Sequence, residues 1–139
     1  MTTRSKRLTD ADFERLLTFR DGLRRFLRWS EHEANRVGIT GPQHQLLLAI
    51  RGHGDPPSIG EVSAHLLLRH HSVVELVDRA ERAGLVERVA DGDDHRFVRL
   101  SLTARGEEKL VALTDTHLEE LSRLRPHLEP LWERLPDEP

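Results

Sequence analysis

The chain has 139 residues, 37% hydrophobic and 32% charged, the length of one domain and the polarity of a helical protein with long solvated or inter-subunit faces. It has no cysteine, which excludes disulfide scaffolds, zinc fingers and thiol chemistry, and no apolar run near the roughly 20 residues of a membrane span. The formal net charge of −3 argues mildly against a nucleic-acid partner, because phosphate contacts need cations.

Thr9-Asp10-Ala11-Asp12 offers a capping hydroxyl and acidic first-turn residues. Phe13, Leu16, Leu17, Leu23, Phe26, Leu27, Ala34 and Val37 follow at helical spacing, which predicts one long helix over 10–36. Gly38 closes it, and Thr40-Gly41-Pro42-Gln43 is a capping box that opens a second helix to Arg51. After the helix-breaking loop Gly52-His53-Gly54-Asp55-Pro56-Pro57, Ser58-Ile59-Gly60-Glu61 is another capping box. The short helix that it starts leads through Leu66-Leu67-Leu68-Arg69 to a further one over His70 to Ala83, ended by Gly84 as a left-handed cap. The period then changes to alternation in Leu85-Val86-Glu87-Arg88-Val89 and Phe97-Val98-Arg99-Leu100-Ser101-Leu102, two half-buried strands. Asp91-Gly92-Asp93-Asp94 is the turn between them, so the pair forms a hairpin. Thr103 caps a final long helix carrying Leu110, Leu113, Leu118, Leu121 and Leu124, with a break expected at Pro126 and a short piece ending near Leu135.

Two short helices joined by a tight turn and followed by a two-stranded hairpin are a helix-turn-helix with a wing. The second helix of such a pair is narrow enough to enter the major groove, and the hairpin reaches the backbone or the minor groove. The residues carry a resemblance in that region. Leu76-Val77-Asp78-Arg79-Ala80-Glu81-Arg82-Ala83-Gly84-Leu85-Val86-Glu87-Arg88, then Asp94-His95-Arg96, then Leu102-Thr103-Ala104-Arg105-Gly106, resembles the winged-helix signature of MarR-type transcriptional regulators. It covers about 40–106 by motif and the flanking helices by layout.

The resemblance implies a mainly α fold with a small β-hairpin wing, in one domain with a winged-helix region over 40–102 and dimerisation helices over 10–36 and 104–135. It implies a cytoplasmic homodimer that binds a roughly palindromic double-stranded DNA operator, with repression as the expected outcome and a small aromatic or anionic effector as its release signal. Carried over residue by residue, the recognition helix presents His70, His71, Ser72 and Glu75, and Arg96 of the wing enters the minor groove beside His95, with Asp94 orienting nearby arginines. Glu75 and Val74 depart from the residues common in relatives, so base contacts cannot be copied. Arg88 and Arg99 are either phosphate contacts or counter-charges to Asp91, Asp93 and Asp94. From Leu68 to Arg99 six arginines face seven acids, which keeps open an alternative: a winged-helix protein-interaction module that has lost DNA binding.

The helical ends differ in sign. Residues 1–36 hold nine Lys or Arg against six Asp or Glu, and residues 100–139 hold five against nine, which favours their pairing within or between subunits. Arg20, Arg24 and Arg28 form a basic stripe that repels itself unless Glu119, Glu120 and Glu129 cover it. Otherwise Arg24 and Arg28, with Trp29 and His44, form an anionic-ligand site. The nine histidines are scattered and include no HExxH, so no metal or other cofactor is expected. No nucleophile elbow or phosphate-cradling glycine loop is present, so no catalytic residue is assigned and a non-enzyme is expected.

Overall fold

Helices and hairpin follow one another in the order that the apolar periods predict. The computed structural model describes residues 7–90 and 98–133: α1 (Asp10–Arg36), α2 (Gly41–Gly52), α3 (Ile59–Leu66), α4 (His70–Arg82), β1 (Val86–Ala90), β2 (Val98–Leu102) and α5 (Ala104–Trp132). The expected turn Asp91-Gly92-Asp93-Asp94 lies outside the described residues. The chain divides into two compact units, residues 31–116 and residues 1–30 with 117–139, so the boundary falls inside both long helices. None of the described helices is long and apolar enough to cross a membrane.

In the central unit both capping boxes form. The Thr40 hydroxyl accepts from the Gln43 amide at 3.2 Å and the Gln43 side chain accepts from the Thr40 amide at 3.0 Å. Ser58 and Glu61 repeat the exchange at the start of α3, at 3.2 and 3.0 Å. With their ends satisfied, the helices bury Leu46, Leu47 and Ile50 of α2 and Val62 of α3 against Val73, Val77 and Ala80 of α4, a spacing that keeps one face of α4 inward. Leu85, Val86 and Leu100 close the core from the hairpin, and Leu110 and Leu113 close it from α5. The strands are antiparallel, with Val86 opposite Leu102 and Arg88 opposite Leu100. A bond from the Leu100 amide to the carbonyl of buried Pro57, 2.8 Å, pins β2 to the loop before α3.

Two helix stops share one geometry with different residues. At the end of α4, Leu85 N–H bonds to Ala80 C=O and Gly84 N–H bonds to Glu81 C=O, with Gly84 at φ +73. That is the paired closure in which the left-handed position favours glycine. At the end of α3 the Leu68 amide bonds back to Ser63 C=O at 3.2 Å, and the left-handed position is held by Leu67 at φ 54 with 90% of its surface exposed. An L-residue there costs about 1–2 kcal/mol, and the greater freedom of glycine in the unfolded chain offsets part of that. Leu67→Gly is therefore expected to raise the unfolding free energy by roughly 0.5–1 kcal/mol in urea titration. A destabilised variant would contradict this.

The junction between hairpin and α5 explains the Leu102-Thr103-Ala104-Arg105-Gly106 motif. The Thr103 hydroxyl accepts from the Gly106 amide at 3.1 Å and donates to Gly84 C=O at 2.6 Å, while the Thr103 amide donates to Leu85 C=O at 3.1 Å. One residue thus caps α5 and ties it to the chain that leaves α4. Gly106 lies against that same segment.

In the terminal unit, Phe26 stacks on Trp29 with ring centres 6.0 Å apart, and the His117 ring stands 4.7 Å from Trp29 and 5.8 Å from Phe26. Ser30 Oγ lies 2.6 Å from His117 Nε2. The break expected at Pro126 does not occur, since α5 runs through Pro126 and Pro130 to Trp132. Proline removes the amide that would bond four residues back, but the residue there, Ser122, is exposed and water can satisfy its freed carbonyl. Buried Leu124 before the proline and the Phe19–Trp132 edge contact at 5.6 Å after it hold the helix on both sides.

Candidate nucleic-acid interface

The start of α4 differs from those of α2 and α3. Its N-cap residue is Arg69, which makes no side-chain cap, whereas Thr40 and Ser58 cap the other two. Arginine cannot accept a hydrogen bond, so the first-turn amides of His70, His71 and Ser72 are left uncapped. Their N–H groups, which Arg69 does not cap, the positive end of the helix dipole and the exposed Arg69, His70 and His71 side chains together form an opening suited to an anion. Such a terminus is poor for helix stability and good for phosphate.

Counted at 100° per residue from the buried Val73, Val77 and Ala80, the opposite side of α4 carries His71, Glu75 and Arg82, all exposed. His70 is exposed at the helix end and Ser72 is half-buried on its flank. The structure therefore brings His70, His71, Ser72 and Glu75 to one accessible helix, with a carboxylate one turn along from the cationic start.

Arg88 and Arg99 are both held in ion pairs. Arg88 bridges Asp78 at 2.7 Å and Glu81 at 2.9 Å, fastening β1 to α4. The sequence offered Asp91, Asp93 and Asp94 as counter-charges, whereas these two partners are carboxylates three residues apart on the helix before the strand begins. Arg99 donates to Glu61 Oε1 at 2.9 Å, fastening β2 to α3. Asp94, His95 and Arg96 lie outside the described residues.

Glu61 is the residue that sequence reasoning used only as a cap. Besides Ser58 and Arg99 it accepts from His53 Nε2, 2.8 Å from Oε2, and His53 Nδ1 in turn faces His65 Nε2 at 2.9 Å. The histidines are thus not all scattered. Their meeting depends on the α2–α3 loop folding back on α3, which no local pattern encodes. Together with Asp55, Pro56, Val89, Ala90, Arg99 and Ser101, His53 and Glu61 line an open cleft of about 670 Å³. Hydrogen bonds from Ser58, backbone and then side chain, and the neighbouring His53 hold the Glu61 carboxyl below its ordinary range. A depressed carboxylate contributes stability that is present above its unfolded value, about 4.5, and lost as pH falls through the folded one. Glu61→Gln should therefore flatten the acid side of the Tm-against-pH curve below about pH 4.5, where wild type declines. Superimposable acid limbs would show that the carboxylate is not used.

The residues of the expected ligand site fall in different units. Arg24, Arg28 and Trp29 lie in the terminal unit, and His44, 6% exposed, lies in the central one. Arg24 pairs at 3.5 Å with Asp21 on its own helix. Two of the three acids expected over the arginine stripe pair within α5, Glu120 with Arg123 at 3.0 Å and Glu129 with Arg125 at 2.8 Å. Neighbours one turn away on the same helix are the nearer partners, and they take these charges first. Trp29 is engaged with Phe26 and His117.

Residues 37–96 match the family model described as MarR family. An uncharacterized HTH-type transcriptional regulator, YsmB, of Bacillus subtilis (strain 168) is 33% identical over 104 residues, 75% of this chain and 66% of that protein, so the chain spans slightly under two thirds of its relative. A MarR family protein from Bacillus stearothermophilus is 28% identical, with a TM-score of 0.69 over 90% of this chain and 82% of that one. A point mutant of MepR from S. aureus, solved bound to an oligodeoxyribonucleotide, shares the fold at 22% identity and a TM-score of 0.65, over 86% of this chain and 82% of that one.

Proposed function

The chain belongs to the MarR family, and from that premise we propose that it is a DNA-binding transcriptional regulator that sets the start of α4 into the major groove of duplex DNA. The observation that carries this is the uncapped, cationic opening of α4, in a helix whose inward face is fully used by the core. His70 and His71 would donate to phosphate or base acceptors, and Ser72 would add its amide and hydroxyl. Glu75 would accept from an exposed cytosine amino group, a contact that restores use to an otherwise repulsive charge. Arg96 supplies the minor-groove contact in this reading. Arg88 and Arg99 brace the wing from behind, since each is already paired with helix carboxylates. That MepR, which shares the fold, was solved bound to an oligodeoxyribonucleotide supports a nucleic-acid partner.

The functional unit in this reading is a homodimer acting as a repressor on a roughly palindromic site, released by a small aromatic or anionic effector. Phe13, Leu16, Leu17 and Leu27 on α1 and Leu118, Leu121 and Trp132 on α5 are all exposed in the single chain, more large apolar surface than helices facing only water would carry. Light scattering is expected to give twice the chain mass at micromolar concentration, with thermal stability that falls on dilution. A stable monomer would contradict the dimer. Docking itself is tested by methylation interference on a duplex selected with the full-length protein. Guanine N7 methylation, which projects into the major groove, should block binding at each half-site; binding indifferent to N7 methylation at every position would remove α4 from that groove.

A further inference from the structure

The His53–His65 pair lies outside the α4 surface, and it sets two imidazole nitrogens against each other with a carboxylate behind one of them. We propose that His53 Nδ1 and His65 Nε2 form a two-histidine docking point for a divalent transition-metal ion, with Glu61 orienting His53 from behind. The two nitrogens face one another at 2.9 Å, with the ring planes 81° apart. Ring centres 5.2 Å apart place the two nitrogens head-on in a hydrogen bond, whereas nitrogens side by side on one ion at about 2.0–2.1 Å stand roughly 3 Å apart with converging lone pairs, so both rings swing to admit the ion. The other nitrogen of His53 is 2.8 Å from Glu61 Oε2, which places the proton on Nε2 and leaves Nδ1 to accept from His65 Nε2–H; a bound ion replaces that hydrogen bond as His65 moves its proton to its own Nδ1. A carboxylate behind a ligating histidine fixes tautomer and ring orientation and raises the basicity of the ligand. Glu61 is itself held by Ser58 and Arg99, so the support does not swing away.

Access is open, because His65 is exposed on α3 and His53 borders the solvent-filled cleft. Among the described residues no group of three or more His, Cys, Asp or Glu is placed to hold an ion. Water therefore completes the coordination, and borderline ions that accept imidazole with water, Zn²⁺ and Ni²⁺, are the class that fits. The consequence reaches the wing. An ion on His53 tightens the same Glu61 whose other oxygen holds Arg99 of β2. The site would thus couple metal occupancy to the wing root, whether or not α4 binds DNA.

The test uses full-length protein stripped with a chelator and titrated calorimetrically with ZnCl₂ and with NiCl₂. One ion per chain is expected. His65→Gln, an exposed change that leaves the core intact, should weaken binding at least tenfold, and Glu61→Gln should weaken it by about 10–100-fold. The double variant His70→Gln, His71→Gln should bind as wild type does. Thermal melts of each apo variant verify folding. No uptake by wild type, wild-type affinity in His65→Gln, or a loss that follows His70 and His71 instead would overturn the proposal.

Discussion

Replacing Gly106 by alanine is expected to lower the unfolding free energy by about 3 kcal/mol, since among the glycines of the described residues it is the one whose added Cβ meets backbone most closely. A Cβ at that position would lie 2.1 Å from the Leu85 carbonyl oxygen and 3.1 Å from its carbon. The obstacle is backbone, and it cannot rotate away as a side chain would. Nor can Leu85 retreat freely. Its amide closes α4 through Ala80, its carbonyl accepts from Thr103, and its side chain is 1% exposed in the core. Relief of the clash must therefore pull α5 away from the end of α4, loosening the Thr103 cap and the Gly84 contact together. Urea unfolding of Gly106→Ala beside wild type measures this, with Gly60→Ala as a control because its added methyl meets only Ser58 Oγ, at 3.8 Å. A loss of Gly106→Ala no larger than that of the control would mean that the junction is looser than its geometry.

Arg69→Asp is expected to move stability and DNA affinity in opposite directions. Aspartate at the N-cap accepts from the first-turn amides that arginine leaves uncapped and places a negative charge at the positive end of α4. The folded state should gain about 1 kcal/mol. On DNA the same carboxylate occupies the anion opening and meets phosphate with the wrong sign. Affinity should fall at least tenfold, and the slope of log K against log salt should become shallower by roughly one to two per subunit, because one cation is lost and one anion gained. An uncharged cap, Arg69→Asn, should keep most of the stability gain with a smaller loss of affinity. If Arg69→Asp gains stability and binds DNA as wild type does, the start of α4 is not the docking point.

The sequence made most of the architecture legible because its devices are local. The two capping boxes, Gly84 as a stop and the change from helical period to alternation each act within a few residues, and each helix and strand of the central unit lies within a few residues of where they place it. Pro126 is the exception: a local reading ends the helix there, whereas an exposed carbonyl on a packed helix tolerates the missing amide. What could not be read is what depends on distant parts meeting. Arg88 finds Asp78 and Glu81 only once the strand turns back along α4, and His53 finds Glu61 and His65 only once the α2–α3 loop closes. For the interface, spacing placed His70, His71, Ser72 and Glu75 on one helix, but the missing cap became evident only from the bonds that Arg69 does not make. The reason for Gly106 likewise lies in a carbonyl 21 residues earlier in the chain.

The claim that α4 opens a DNA-binding surface is tested most directly by enriching duplexes from a random pool with the full-length protein and titrating the winner and a scrambled duplex over a salt series. The account predicts an enriched site of two inverted halves about 10–10.5 base pairs apart, centre to centre. It predicts binding at least about 10³-fold tighter than to the scrambled duplex, with log K falling linearly as log salt rises. A pool that yields no enriched sequence, with equal weak retention of both duplexes at low salt, would contradict it and favour a winged helix that meets protein instead.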